Sequence, residues 1–214
     1  MPDRHGANVN VSQLEAAVRQ YREGILLYFE ERDIFASYTL VCAAEQVFRD
    51  LAKRAGKDAP LAHVLRRVKR EYRAEMHDAM ALVKNWLKHA DKDKWEGLRQ
   101  NAANWEGLVQ HGFLGYALHA YLTHALLTEK RLVAGSVFWT WALIEWPEYF
   151  EAGTFEILRA RSGPAFREDL LRRTANCKGD MATIIRLVER AAGGIYADEE
   201  AWAGARANLS LKDV

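Results

Sequence analysis

Cysteine, proline and glycine are all scarce in this chain: 214 residues hold 2 Cys, 4 Pro and 14 Gly. Cys42 sits among apolar neighbours, Cys177 precedes a basic loop, and neither belongs to a CxxC pair. That excludes a disulfide framework and a thiolate zinc centre, and points to reduced thiols in a cytoplasmic protein. An excess of one charge sign is missing too, since the formal net charge is +1. The chain has no global field to attract nucleic acid or an anionic membrane, so any such affinity must come from a local patch. Long hydrophobic runs are absent as well. The most apolar stretch, LVAGSVFWTWALI, ends at Glu145. It is too short to span a bilayer and reads as a buried helix. The opening MPDRHGANVNVS lacks an apolar core, so no signal peptide is expected. Strand-type alternation, a Gly-rich phosphate loop and internal repeats are not found.

What is present is helical pattern on a chain that is 50% hydrophobic, a composition able to bury a sizeable core. Residues 1–10 read as a frayed tail, and 11–214 as one α-helical domain. Ser12 with Glu15 three positions on is a capping box. It opens a helix to about Glu31, with Leu14, Val18, Tyr21, Ile25 and Tyr28 or Phe29 along one side. Asp33 caps a second helix whose core face carries Tyr38, Val41, Ala44, Val47, Phe48 and Leu51, and Gly56 is its stop. A third, long pattern runs from about Leu61 to Ala90. A fourth starts near Ala102 and runs through LLTEK, and a fifth ends at Pro147. Shorter helices are expected at 164–174, 180–193 and 197–206. The fold class is therefore all-α: a helical bundle of about 11–130 with additional C-terminal helices over about 131–214, and no β-sheet.

The third pattern carries the chemistry. Val68, Tyr72, Met76, Ala79, Met80, Val83, Leu87 and Ala90 form its core stripe. One flank holds Arg66, Arg70, Arg73, His77, Lys84 and Lys88; the other holds Glu71, Glu75, Asp78, Asn85 and His89. Edges of opposite sign suit a bundle helix paired with charged neighbours. The basic edge, with Arg66, Arg70, Arg73, Lys84 and Lys88, also suits a phosphate backbone.

At its end, KNWLKHADKDKW gathers Asn85, His89, Asp91 and Asp93. An imidazole beside carboxylates suits acid–base work or a divalent metal. The i,i+4 His pair of a helical zinc site is absent, so no metal is expected and Asp91 and Asp93 stand only as an alternative. No cofactor is expected either.

The first two helices, with AAEQVFRDL, a Gly stop and KDAPLAHVL, resemble the HEPN superfamily of small α-helical bundles over about residues 13–93. His63, Val64 and Leu65 mimic that family's His before an apolar pair. The resemblance implies a metal-independent ribonuclease, often a toxin, or a non-catalytic module that binds a nucleotide, RNA or a protein partner, in either case as a homodimer. The family's Arg-x4–6-His motif is approached twice. KNWLKH supplies Asn85 and His89 but has Lys84 where Arg belongs, which keeps charge and loses the planar fork. REYRAEMH, Arg70 to His77, fits the spacing formally but lies within a helix. The expected function is thus a HEPN-like binding module without robust catalysis. The alternatives are a ribonuclease using His89 or His77 with a basic partner, and a structural helical protein without a ligand. A phosphohydrolase metal set of His63, His77, Asp78 and Asp91 or Asp93 is a further pattern, opposed by His77 and Asp78 lying on opposite flanks.

His111, His119 and His124 fall on different faces and form no ligand set; each is expected to be a core or edge histidine with a single partner. Trp139, Trp141, Trp146, Tyr149 and Phe150 could stack bases, though packing suits them as well.

Overall fold

A computed structural model describes residues 12–57, 61–88, 102–154 and 178–196. Its helices are α1 (Gln13–Phe29), α2 (Ile34–Arg54), α3 (Leu61–Leu65), α4 (Arg70–Lys88), α5 (Ala102–Thr128), α6 (Val133–Glu145) and α7 (Lys178–Ala191), with a 3-10 turn at Pro147–Tyr149. The described residues contain no strand; two isolated bridges, Val68 to Phe150 and Leu132 to Tyr196, are their only β-type pairings. The all-α expectation holds. The helices expected at 164–174 and 197–206, and Cys177, lie outside the described residues.

Local chemistry sets the helix ends. The Ser12 amide donates to Glu15 at 2.8 Å, and the Glu15 amide returns a bond to the Ser12 hydroxyl at 3.2 Å, so the capping box is closed. Asp33 accepts from the amides of Phe35 and Ala36 at 2.8 and 3.2 Å. Past α2, Gly56 takes a φ of 68°, the left-handed conformation that ends a helix without a Cβ penalty.

Packing then orders the layers. α2 lies between α1 and α5, and α4 lies against α5. α6 and α7 pair with each other and close over α1. Every residue from Gly112 to Tyr121 of α5 is buried, as is every residue from Val133 to Leu143 of α6. A helix apolar on all sides belongs in the middle of a bundle, and that explains why LVAGSVFWTWALI is so hydrophobic. Trp141, Phe138, Phe113, Phe29 and Tyr28 meet there as one aromatic cluster. The α1–α2 crossing is close because of Gly24: a Cβ there would lie 2.7 Å from Val41 Cγ2 and 3.0 Å from the Ser37 carbonyl oxygen.

One expectation is corrected. The pattern from Leu61 to Ala90 is not a single helix, because Arg66–Lys69 form a turn between α3 and α4. Two backbone bonds hold it open: Lys69 donates to the Tyr149 carbonyl at 2.8 Å, and Glu151 donates to the Arg67 carbonyl at 2.9 Å. Partners far away in sequence replace the local helical ladder. Val68 remains in the core, fully buried, as its periodicity implied.

Candidate functional site

The turn and the first half of α4 gather most of the chemistry. Arg73 is the brace. Its Nε donates to the Val68 carbonyl at 2.7 Å, and its Nη2 donates to Glu151 at 2.7 Å and to the Arg66 carbonyl at 3.4 Å. These bonds fix the turn from both sides, and the charge of Arg73 is met by Glu151. Arg67 lies 6.0 Å from the centroid of Trp139, a cation–π distance. Arg66 and Arg70 are exposed.

The basic edge therefore divides. Lys84, further along α4, turns inward: its Nζ lies 5.6 Å from the Tyr116 ring centroid and donates to Gln46 at 3.4 Å. Arg73 and Lys84 thus have internal partners, whereas Arg70 and His77 face solvent. Arg66 belongs to the turn rather than to the α4 edge, because the helix starts only at Arg70.

The acid–base candidates are open to solvent. His77 keeps 59% of its side-chain surface, and its Nδ1 lies 3.4 Å from Asp78, itself 82% exposed. Arg70 and His77 are seven residues apart on one helix, about 10 Å along the axis, so they cannot share a single phosphate without a long reach by Arg70. Asn85 is exposed. His89, Asp91 and Asp93 lie outside the described residues, as do the side chains of His63 and Lys88. Among the described residues no three His, Cys, Asp or Glu side chains converge as a metal site.

Beside the turn, at the start of α4, an aromatic cluster forms. Tyr149 meets Tyr72 at 4.7 Å and His111 at 4.9 Å between centroids, each at 84°. The Tyr149 hydroxyl and His111 Nε2 are 2.7 Å apart. Glu75 lies 3.0 Å from His111 Nδ1, within ion-pair range but outside hydrogen-bond geometry. Burial, with Glu148, Glu75 and Tyr72 nearby, raises the Tyr149 phenol above its ordinary pKa.

A second group is buried between α2 and α5. His119 Nδ1 lies 2.9 Å from Glu45 Oε1, with side chains 4% and 3% exposed. Arg49 Nε approaches the same oxygen at 3.4 Å, and Arg49 also donates to Gln46. Glu45 Oε2 is buried without a hydrogen-bond partner. Burial, with Cys42 and Glu45 beside it, pushes the Tyr116 phenol up. Glu45 was not singled out from the sequence, yet the signal was there: it stands seven residues after Tyr38, on the same helical stripe.

His111 and His124 do not keep to a single partner. His111 contacts both Tyr149 and Glu75, and His124 stacks on Tyr196 and packs against Phe48. Of the proposed base-stacking residues, Trp139, Trp141 and Phe150 are buried in packing; Trp146 and Tyr149 keep some exposure. No helix among the described residues is long and apolar enough to cross a membrane.

No family model matches this chain, and no curated protein or solved structure matches it either.

Proposed function

We propose that the protein is a HEPN-like helical binding module that takes the phosphate of an RNA strand or nucleotide at the α3–α4 turn, without catalysing its cleavage. The observation that supports this is the division of the basic residues. Arg73 is fixed as a brace, and the turn it holds carries the exposed Arg66 and leads into the exposed Arg70 at the start of α4. Cations on a rigid turn lose little entropy on meeting an anion, and arginine grips phosphate in two places. The non-catalytic form is favoured because His77 sits on an open helix face and its nearest acidic partner is a solvated neighbour. General acid–base work needs the base held within hydrogen-bond reach of the proton it moves.

The test is fluorescence anisotropy with a labelled oligouridylate. Two or three phosphate contacts predict a log–log salt slope of roughly −1.4 to −2. Arg66→Glu with Arg70→Glu should weaken binding about tenfold or more and flatten that slope, with helical circular dichroism and Tm retained. Affinity indifferent to both salt and charge reversal would refute the reading. Cleavage of total RNA in EDTA that is lost in His77→Ala would instead establish the ribonuclease.

A further inference from the structure

We propose that the carboxylate of Glu151 is an internal stand-in for phosphate: an RNA strand displaces it, and Arg73 then joins Arg66 and Arg70 as a third phosphate ligand. The proposal rests on the phosphate-binding reading of the α3–α4 turn and makes that site self-competing.

Three arginines surround one acid. Arg70 and Arg73 are three apart on α4 and so are neighbours on its surface. Arg66 adjoins them from the turn, with its carbonyl 3.4 Å from Arg73 Nη2. Glu151 Oε1 lies 2.7 Å from that same nitrogen. Glu71 and Glu75 stand on the other flank of α4, where Glu75 is drawn to His111.

The pair is open to exchange. Arg73 keeps 33% of its side-chain surface and Glu151 keeps 43%, and ion pairs this exposed are weak. Arg73 Nε stays tied to the Val68 carbonyl at 2.7 Å, so the guanidinium holds its place when Nη2 changes partner. Its Nη1 takes no hydrogen bond among the described residues. A phosphodiester presents two charged oxygens on one atom, as a carboxylate does, so the same fork accepts either. The turn itself does not need the carboxylate. The backbone amide of Glu151 donates to the Arg67 carbonyl at 2.9 Å, and that of Lys69 to the Tyr149 carbonyl at 2.8 Å, so the side chain can leave while the backbone stays. Glu151 thus turns away weak anions and reserves the full grip for a ligand that also engages Arg66 and Arg70.

The experiment is the oligouridylate anisotropy titration on Glu151→Gln, which keeps the side chain's size and removes its charge. Binding should tighten about 3- to 10-fold. The log–log salt slope should steepen by roughly 0.7, the share of one more phosphate contact. Glu148→Gln removes the same charge close by without freeing Arg73; it should change affinity less than about twofold and leave the slope alone. Unchanged or weaker binding by a Glu151→Gln variant with the parent's Tm, or equal gains from the two variants, would overturn the proposal, while parent binding that still depends on Arg66 and Arg70 would leave the phosphate reading standing. Failure of both the parent and Glu151→Gln to bind would overturn the two together.

Discussion

Acid should unfold this protein in a way that can be assigned to one side chain. His124 is fully buried. Its ring stacks on Tyr196 at 5.7 Å and packs edge-on to Phe48 at 5.1 Å. Desolvation lowers its pKa from 6.5 to about 4, partly offset by the Lys130 backbone. The folded state thus prefers the neutral ring. Above pH 6.5 both folded and unfolded chains carry neutral His124, and no penalty exists. As pH falls below 6.5 the unfolded chain takes up a proton that the folded chain refuses, so stability drops until the folded pKa is reached. The lag of about 2.5 units corresponds to about 3.4 kcal/mol in all, and to about 2.2 kcal/mol between pH 6.5 and 4.5. Urea unfolding at pH 7.5, 6.5, 5.5 and 4.5, compared between the parent and His124→Gln, isolates this part from the carboxylates common to both. The parent should lose about 1 kcal/mol more than the variant for each pH unit between 6.5 and 4.5. Parallel pH profiles would refute the reasoning and place the imidazole in water-accessible surroundings.

Two further perturbations probe the core. His119→Ala should cost about 1–3 kcal/mol, because it removes the buried partner of Glu45 and leaves it only the looser approach of Arg49 at 3.4 Å; replacing both His119 and Glu45 by leucine should recover much of that loss, as seen by chemical denaturation. Gly24→Ala should lower stability by about 1–3 kcal/mol, since its Cβ would press on Val41 and on the Ser37 carbonyl; an unchanged Tm would mean that α1 and α2 slide apart at little cost.

Where the chain's own neighbours decide an outcome, the sequence was readable. Ser12, Asp33 and Gly56 end helices through bonds or dihedrals that span a few residues, and each sits where its residue type implied. Stripes of apolar residues likewise placed Tyr21, Tyr38, Met76 and Val83 in the core. The break at Arg66–Lys69 was not readable, because the pattern there is helical and the bonds that interrupt it come from Tyr149 and Glu151. The basic edge shows the same limit. Arg70, Arg73 and Lys84 look alike on a helical wheel; only their partners separate a brace and an inward-turned lysine from an exposed cation. The Glu45–His119 pair was half visible, since spacing put Glu45 on the core stripe but nothing local named its partner on α5.

The brace at the α3–α4 turn also bears on the order of assembly. Arg73 and Glu151 are 78 residues apart in the chain. α1 and α2 are joined by a short loop and can pair early, while closing a loop of that length carries a larger entropic cost and comes later. During synthesis α4 leaves the ribosome well before Glu151 does, so the turn waits for α6 and the 3-10 turn before it can adopt its final shape. Arg66 and Arg70, proposed to bind phosphate, would then be among the last residues to take their final positions, and a chain interrupted before Glu151 would hold its first helices and yet lack the ordered turn.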